Sequence, residues 1–389
     1  MNVQNTPVHI KLWHRDFWLL SFASLLLTVA VYVLIPVMPK WLMDVEHFTP
    51  AQTGRAMGVF GLGLYVFGAL CSWLVQQYRR NVVCMWAIIF VALDVALLWY
   101  MDAQRTISVD FTIVMLQRFL LGAAFGLAQM VLASTLIIDT CESFQRTEAN
   151  HSVSWFTRFA LSLGPLAGLL LYECYGFNGV MLASVGCAVG AFLLVKLVAF
   201  PFRTPEEGVH VASLDRFYLP HGTVLFVNFL LVSTVVGLLL SMPMQPISYA
   251  LMMGGFLLAL LAQRFVFRDA ELKSEIISGL LLMVAALLIL LVAPQSPISP
   301  VLIGLSVGVI GARYLLFFIK LSRHCQRGTS QSTYFLGWET GLALGLALGY
   351  GVFYGQSESL LLTGVGLCVV ALVVYHFFTH DWFMCNKNR

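Results

Sequence analysis

Long apolar runs of similar size alternate with short polar breaks along most of this chain. They fall at approximately Phe17–Val37, Ala51–Val75, Val82–Tyr100, Phe111–Ile138, Ser152–Tyr172 and Gly179–Phe200. A second set falls at Thr223–Met242, Ile247–Phe267, Ile276–Val292, Pro300–Leu321, Ser332–Tyr354 and Leu360–Phe378. Each has about the 20 residues that a helix needs to cross the hydrocarbon of a bilayer. Inside lipid such a run satisfies its own backbone only as a helix. The pattern predicts an all-α membrane protein with twelve transmembrane helices in two pseudo-symmetric six-helix bundles. Residues 1–200 form one half, 201–221 a polar connector and 222–389 the other half. The polar N-terminus leads into the first run without a small-residue cleavage site, so that run reads as an uncleaved first span.

The halves echo each other. At an offset of 181 residues Gln145-Arg146 falls on Gln326-Arg327, Gly164 on Gly345 and Gly168 on Gly349. Pro36-x-x-Pro39 recurs as Pro243-x-x-Pro246. A parallel repeat of two membrane halves is the pattern of a transporter with its site between them. At the same 181-residue offset Arg158 meets Glu339, so mirrored positions carry opposite charge.

Composition agrees with the span pattern. The 389 residues are 59% hydrophobic and 11% charged, well below the roughly 25% charge of soluble domains. The formal charge of +3 identifies no partner, but the placement of the charges does orient the chain. With the N-terminus inside, 16 of the 22 Lys and Arg residues lie at cytoplasmic ends and loops, against Lys40 and Arg105 in outer loops. That bias places both termini and the connector in the cytoplasm. The eight cysteines contain no CxxC pair, and the sequence suggests neither a metal site nor a disulfide framework. No GxxxxGK[ST] loop occurs, which argues against ATP as the energy source.

The ionisable residues within the spans carry the chemistry. Arg118 is followed at helical spacing by Gly122 and Gly126, a charge and then two points of close backbone approach on one face. Arg158 precedes Gly164, Pro165 and Gly168 on the next span. An intramembrane arginine is costly and should face protein or a water-filled cavity. Asp94 lies at a depth like that of Arg118 and reads as its structural counter-ion, with Arg55 the other possible partner. Glu339 is the acidic residue central in a span of the second half. A carboxylate there can be poised to exchange a proton or can form a fixed ion pair with Arg158, and both readings stay open. Arg313 lies nearer the cytoplasmic end, where it can snorkel or meet lipid phosphate. Gly337, Gly341, Gly345 and Gly349 form a packing ladder. Gln129, Asn228 and Trp338, with Trp155, Phe156, Tyr334 and Tyr350, are further candidates for the wall of a site.

The chain resembles the major facilitator superfamily over nearly its whole length. The Arg118-x3-Gly122-x3-Gly126 run is similar to that family's fourth-helix motif. Gly164-Pro165-x2-Gly168 is similar to the C-terminal part of its fifth-helix antiporter motif. The loop after the second helix departs from the family pattern, with Gln76 where an aspartate is usual. The resemblance implies that the helices bearing Arg118, Arg158 and Glu339 line a central cavity. It also implies a secondary active transporter, proton-coupled, in a bacterial inner membrane. The expected partners are a small-molecule solute, protons and the bilayer, with no nucleic acid, no cofactor and no metal, and the chain acts as a monomer. The partial antiporter motif leans toward efflux, whereas the excess of buried arginines fits uptake of a small organic anion. A polytopic membrane enzyme or lipid-handling protein would need a nucleophile–base or metal cluster that the sequence does not display.

Overall fold

The computed structural model describes residues 11–104, 109–200, 208, 210–267, 271–323 and 326–387, and no strand occurs among them. The first half contains α1 (Arg15–Tyr32), α2 (Val37–Asp44), α3 (Pro50–Gly63), α4 (Gly68–Gln77), α5 (Arg80–Gln104) and α6 (Phe111–Val131). A π-helical turn, Leu132–Leu136, joins α6 to the short α7 (Ile137–Asp139), and α8 (Arg146–Lys196) follows. The second half contains α9 (Thr223–Leu240), α10 (Pro246–Phe265), α11 (Leu272–Val292), α12 (Ile298–Leu321), α13 (Arg327–Gly351), α14 (Ser357–Val374) and α15 (His380–Asn386).

Among the described residues, nine helical segments are long and apolar enough to cross a membrane. They become ten if α3 and α4, bent by 43°, form one span. Two features account for the difference from the sequence pattern. The break expected between Tyr172 and Gly179 shrinks to one residue, Gly176, at φ 66 and ψ −162 inside the 51-residue α8. Glycine adopts that conformation without steric penalty, so two helices abut with almost no loop. The 25-residue α13 is long enough but too polar, because it opens RGTSQSTYFLGWET. Those polar residues are nonetheless buried from Thr329 to Glu339, so α13 is lined for the protein interior.

The outer surface follows the alternation along each helix. On α5, Trp86, Phe90, Leu93 and Leu97 recur at three- to four-residue spacing and are exposed, while Ala87, Ile88, Val91, Val95 and Leu98 are buried. An apolar face turned outward all along a helix suits hydrocarbon. Lipid tails are as apolar as leucine, so helices in a bilayer associate by close packing and polar contacts. Small residues supply the close packing here. A Cβ at Gly345 would lie 2.2 Å from the Thr234 carbonyl oxygen, so α13 and α9 touch backbone to backbone. Gly168 meets α1 in the same way, 2.3 Å from the Val33 carbonyl oxygen. Gly341 and Gly349 press on Ser233 and Ser241, Gly337 on Phe226 and Phe229, and Gly164 on Tyr32. Gly122 and Gly126 lie against Phe60 and Leu64, fixing α6 on α3 and the turn after it. Pro165 is accommodated within α8 and is buried.

Candidate functional site

The polar half of α13 faces α1, α6 and α8 across the centre of the molecule. A cavity of about 30 Å³ lies between them, lined by Ser24, Gln129, Ala133, Val153, Ser154, Thr157, Arg158, Gln331, Tyr334, Phe335, Trp338 and Glu339. Such a volume accepts a water or two and no organic solute. Both ends of the α13 interface are packed. At one end a Cβ at Gly54 of α3 would lie 2.6 Å from the Ala347 carbonyl oxygen, and at the other a Cβ at Gly328 would lie 2.5 Å from that of Ser134.

Two charges line the cavity, one from each half of the chain. Glu339 is 2% exposed and accepts a hydrogen bond from the Tyr32 hydroxyl at 2.6 Å. That hydroxyl in turn accepts from Trp338 Nε1 at 3.0 Å, which fixes its donor direction toward the carboxylate. Arg158 is 3% exposed, its guanidinium 4.6 Å from the Trp155 ring centroid. Its Nη2 donates to the Tyr334 hydroxyl at 3.4 Å, a long bond, and its Nε and Nη1 have no hydrogen-bond partner. No ion pair joins Arg158 to Glu339 among the described residues. The structure therefore brings the mirrored residues to one cavity without pairing them. A tyrosine from the opposite half engages each.

Gln129 completes the wall on the α6 side, donating from Nε2 to Thr28 Oγ1 at 2.7 Å and accepting from Ser24 Oγ at 3.4 Å. Trp338 lines the cavity with its ring and anchors Tyr32 with its N–H.

Other residues singled out in the sequence lie elsewhere. Arg118 does not line this cavity. Gln129 is eleven residues further along the same face of α6, which places Arg118 about 16 Å away along the helix axis. The Arg118 guanidinium sits 5.2 Å from the Phe60 ring centroid, and its Nε and Nη1 have no hydrogen-bond partner. Asp94 is not ion-paired to it, because Gln117 Nε2 reaches the Asp94 carboxylate first, at 2.6 Å. Asp94 borders instead an apolar lateral groove of about 700 Å³ between α4, α5 and α6. Asn228 is a strut of the second half, donating to the Ala371 carbonyl at 3.1 Å and accepting from the Tyr314 hydroxyl. Arg313 does not snorkel to lipid but grips the fully buried carboxylate of Glu275 with Nε and Nη2. Phe156 packs on Trp18 and Phe22, away from the cavity.

Tyr32, Ser24, Thr157 and Gln331 are site residues that sequence reasoning passed over. Tyr32 ends α1 just before Pro36, and nothing in its neighbours marks it as a partner for a carboxylate 307 positions away.

The family model described as Major Facilitator Superfamily matches residues 20–312. No curated protein matches the chain by sequence. Among solved structures, the POT family transporter PepTSo superposes with a TM-score of 0.70 at 13% identity, covering 96% of this chain and 99% of that one. The nucleoside transporter NupG gives 0.64 at 13% identity, with 93% and 99% covered. The E. coli fucose:proton symporter FucP gives 0.63 at 14% identity, with 93% and 98% covered. At such identities the likeness is one of fold.

Proposed function

Because the chain belongs to the Major Facilitator Superfamily, and is thus an integral multi-pass membrane protein, we propose that it is a secondary active transporter for a small organic solute. In this reading the Gly176 break and the polar α13 complete twelve spans. Residues 1–200 and 222–389 are two rocking bundles joined by a cytoplasmic connector at 201–221. The single observation that carries it is a small central cavity to which the two halves contribute buried, opposite and mutually unpaired charges, Arg158 and Glu339. A wall shared by two rocking bodies comes apart when they rock, which is how such a site meets either side of the membrane in turn.

Proton coupling is assigned to Glu339, and the partial fifth-helix motif leans the direction toward efflux. Tyr32 supports the coupling, because its hydroxyl can follow the protonation state of the carboxylate, donating to the ionised form and accepting from the neutral one. Arg118, Asp94 and Asn228 are assigned to the framework. The protein acts as a monomer in a bacterial inner membrane, with a solute and protons as its partners. Uptake of a small organic anion is the second reading, favoured by the two unpartnered donor nitrogens of Arg158, Nε and Nη1.

Flux in proteoliposomes with and without an imposed pH gradient tests the proposal. Wild-type protein should concentrate its solute only with the gradient. Glu339→Gln should keep solute exchange across the membrane at saturating solute and lose uphill movement. Gradient-driven accumulation by that variant at a near-normal rate would remove Glu339 from the coupling.

A further inference from the structure

The charge arrangement of the cavity narrows the class of solute, given the transporter reading above. Arg158 and Glu339 are the only charged residues among the described residues lining it. Two opposite charges buried in one cavity ordinarily pair, because each is costly alone. Here they do not, and each is held by one phenol of the opposite half. Arg158 keeps two donor nitrogens, Nε and Nη1, without a partner, and among the described residues only one Glu339 oxygen receives a hydrogen bond. An anion alone would answer Arg158 and leave Glu339 facing it. A cation alone would do the reverse.

We propose that the solute is a zwitterion whose anionic group docks on the Arg158 guanidinium and whose cationic group docks on Glu339. The spacing follows from α13. Tyr334, which touches Arg158, and Glu339 are five residues apart on that helix, about 7.5 Å along its axis. The two charges of the solute are therefore separated by several bonds and do not share one carbon. Phe335 and Trp338 line the cavity on the α13 side and Ser24 and Gln129 on the facing side, with the Trp155 ring flanking the guanidinium, so the solute's middle meets aromatic rings and a few polar groups. This assignment reconciles the sequence clues: the arginine asks for an anion, the carboxylate for a cation, and one molecule supplies both.

Binding of three matched probes to the purified full-length protein in nanodiscs tests the charge assignment. The probes are 6-aminohexanoate, hexanoate and hexylamine, which share one chain and differ only in their ends. Hydrogen bonds to charged groups are strong enough that losing one end should weaken binding about tenfold or more. 6-Aminohexanoate should therefore bind at least that much more tightly than either analogue. In Arg158→Gln its affinity should fall to that of hexylamine, and in Glu339→Gln to that of hexanoate. Should either variant fail to fold, the ranking of the three probes on wild-type protein decides alone. Hexanoate or hexylamine binding as tightly as 6-aminohexanoate, or no probe binding at all, overturns the proposal. Because the readout is binding, it stands apart from transport. A zwitterion that binds but is never moved would refute the transporter reading and leave the charge assignment, and a moved solute of single charge would do the opposite.

Discussion

The Tyr32 hydroxyl and the Glu339 carboxylate, 307 positions apart, meet at 2.6 Å in the middle of the molecule. The bond ties α1 to α13, and Trp338 holds the phenol in place from the side. Tyr32→Phe would leave a buried carboxylate and a buried indole N–H without their partner, at a cost of about 1–3 kcal/mol each. That penalty falls on the closed arrangement, because water can serve both groups once the cavity opens. Tyr32→Phe should therefore shift the population toward open states. A cysteine at Ser24, in a background freed of native cysteines, should be alkylated severalfold faster in this variant. An unchanged rate would show that the bond does not hold the cavity shut.

The ion pair of Arg313 with Glu275 serves another purpose. It joins α12 to α11 within the second half and does not border the cavity. Breaking a buried pair by removing one partner typically costs about 3–5 kcal/mol, whereas replacing both by apolar residues can be neutral. Glu275→Ala should lower the thermal midpoint markedly, and Glu275→Leu with Arg313→Met should recover most of the loss. Scanning fluorimetry on the purified variants reads both. A double variant as unstable as the single one would mean that the pair fixes more than charge.

Much of this architecture is legible in the sequence because a bilayer demands runs of fixed length, and α9 to α12 stand within a few residues of the runs that announce them. The offset that aligned Gly164 with Gly345 also led to Arg158 and Glu339 as a related pair. What the sequence could not convey was rotation and reach. Arg118 and Gln129 share a face of α6, and only the packing shows that one meets Phe60 while the other meets the cavity. Asp94 meets Gln117 and not Arg118 because these consecutive residues leave α6 about 100° apart, and it is the amide that turns toward α5, within 2.6 Å. Tyr32 and Tyr334 engage the mirrored charges because tyrosine is long enough to reach across to the other half, and an isolated aromatic carries no mark of its partner.

Orientation in the membrane rests on the distribution of basic residues, and Ala212 offers a direct check. It is exposed and lies in the connector beside Ser213, whose N–H is bonded to the Ala69 carbonyl at 2.9 Å. In a background freed of native cysteines, because Cys174 is exposed near the Gly176 break, a cysteine at Ala212 should resist a membrane-impermeant maleimide in intact cells and react after permeabilisation. Ready labelling of intact cells would invert the assigned topology.

The connector also predicts how one end of the cavity is closed. Asp215 accepts from Ser72 of α4 at 3.3 Å and from Thr329 of α13 at 3.1 Å, so one carboxylate spans the two halves. Arg216 follows at φ 58, a left-handed conformation that costs a non-glycine residue about 1–2 kcal/mol. The strain is offset locally. The Arg216 N–H donates to Thr329 Oγ1 at 2.8 Å and its guanidinium to Thr135 Oγ1 at 3.3 Å. Phe217 then packs over Gly68, and the Leu219 N–H donates to Thr333 Oγ1 at 2.8 Å. Gln76 Nε2 donates to Ser72 Oγ at 3.2 Å, so this stitch of polar contacts runs from α4 through Asp215 to the start of α13. Asp215→Ala should release it and favour opening at the Gly328 end, while Asp215→Asn, which keeps one accepting oxygen, should release it less. Spin labels on the α4 and α13 ends should report a longer distance in Asp215→Ala than in wild type, with Asp215→Asn between them. Equal distances in all three would show that the close packing of Gly328 on Ser134 seals this end without help from the connector.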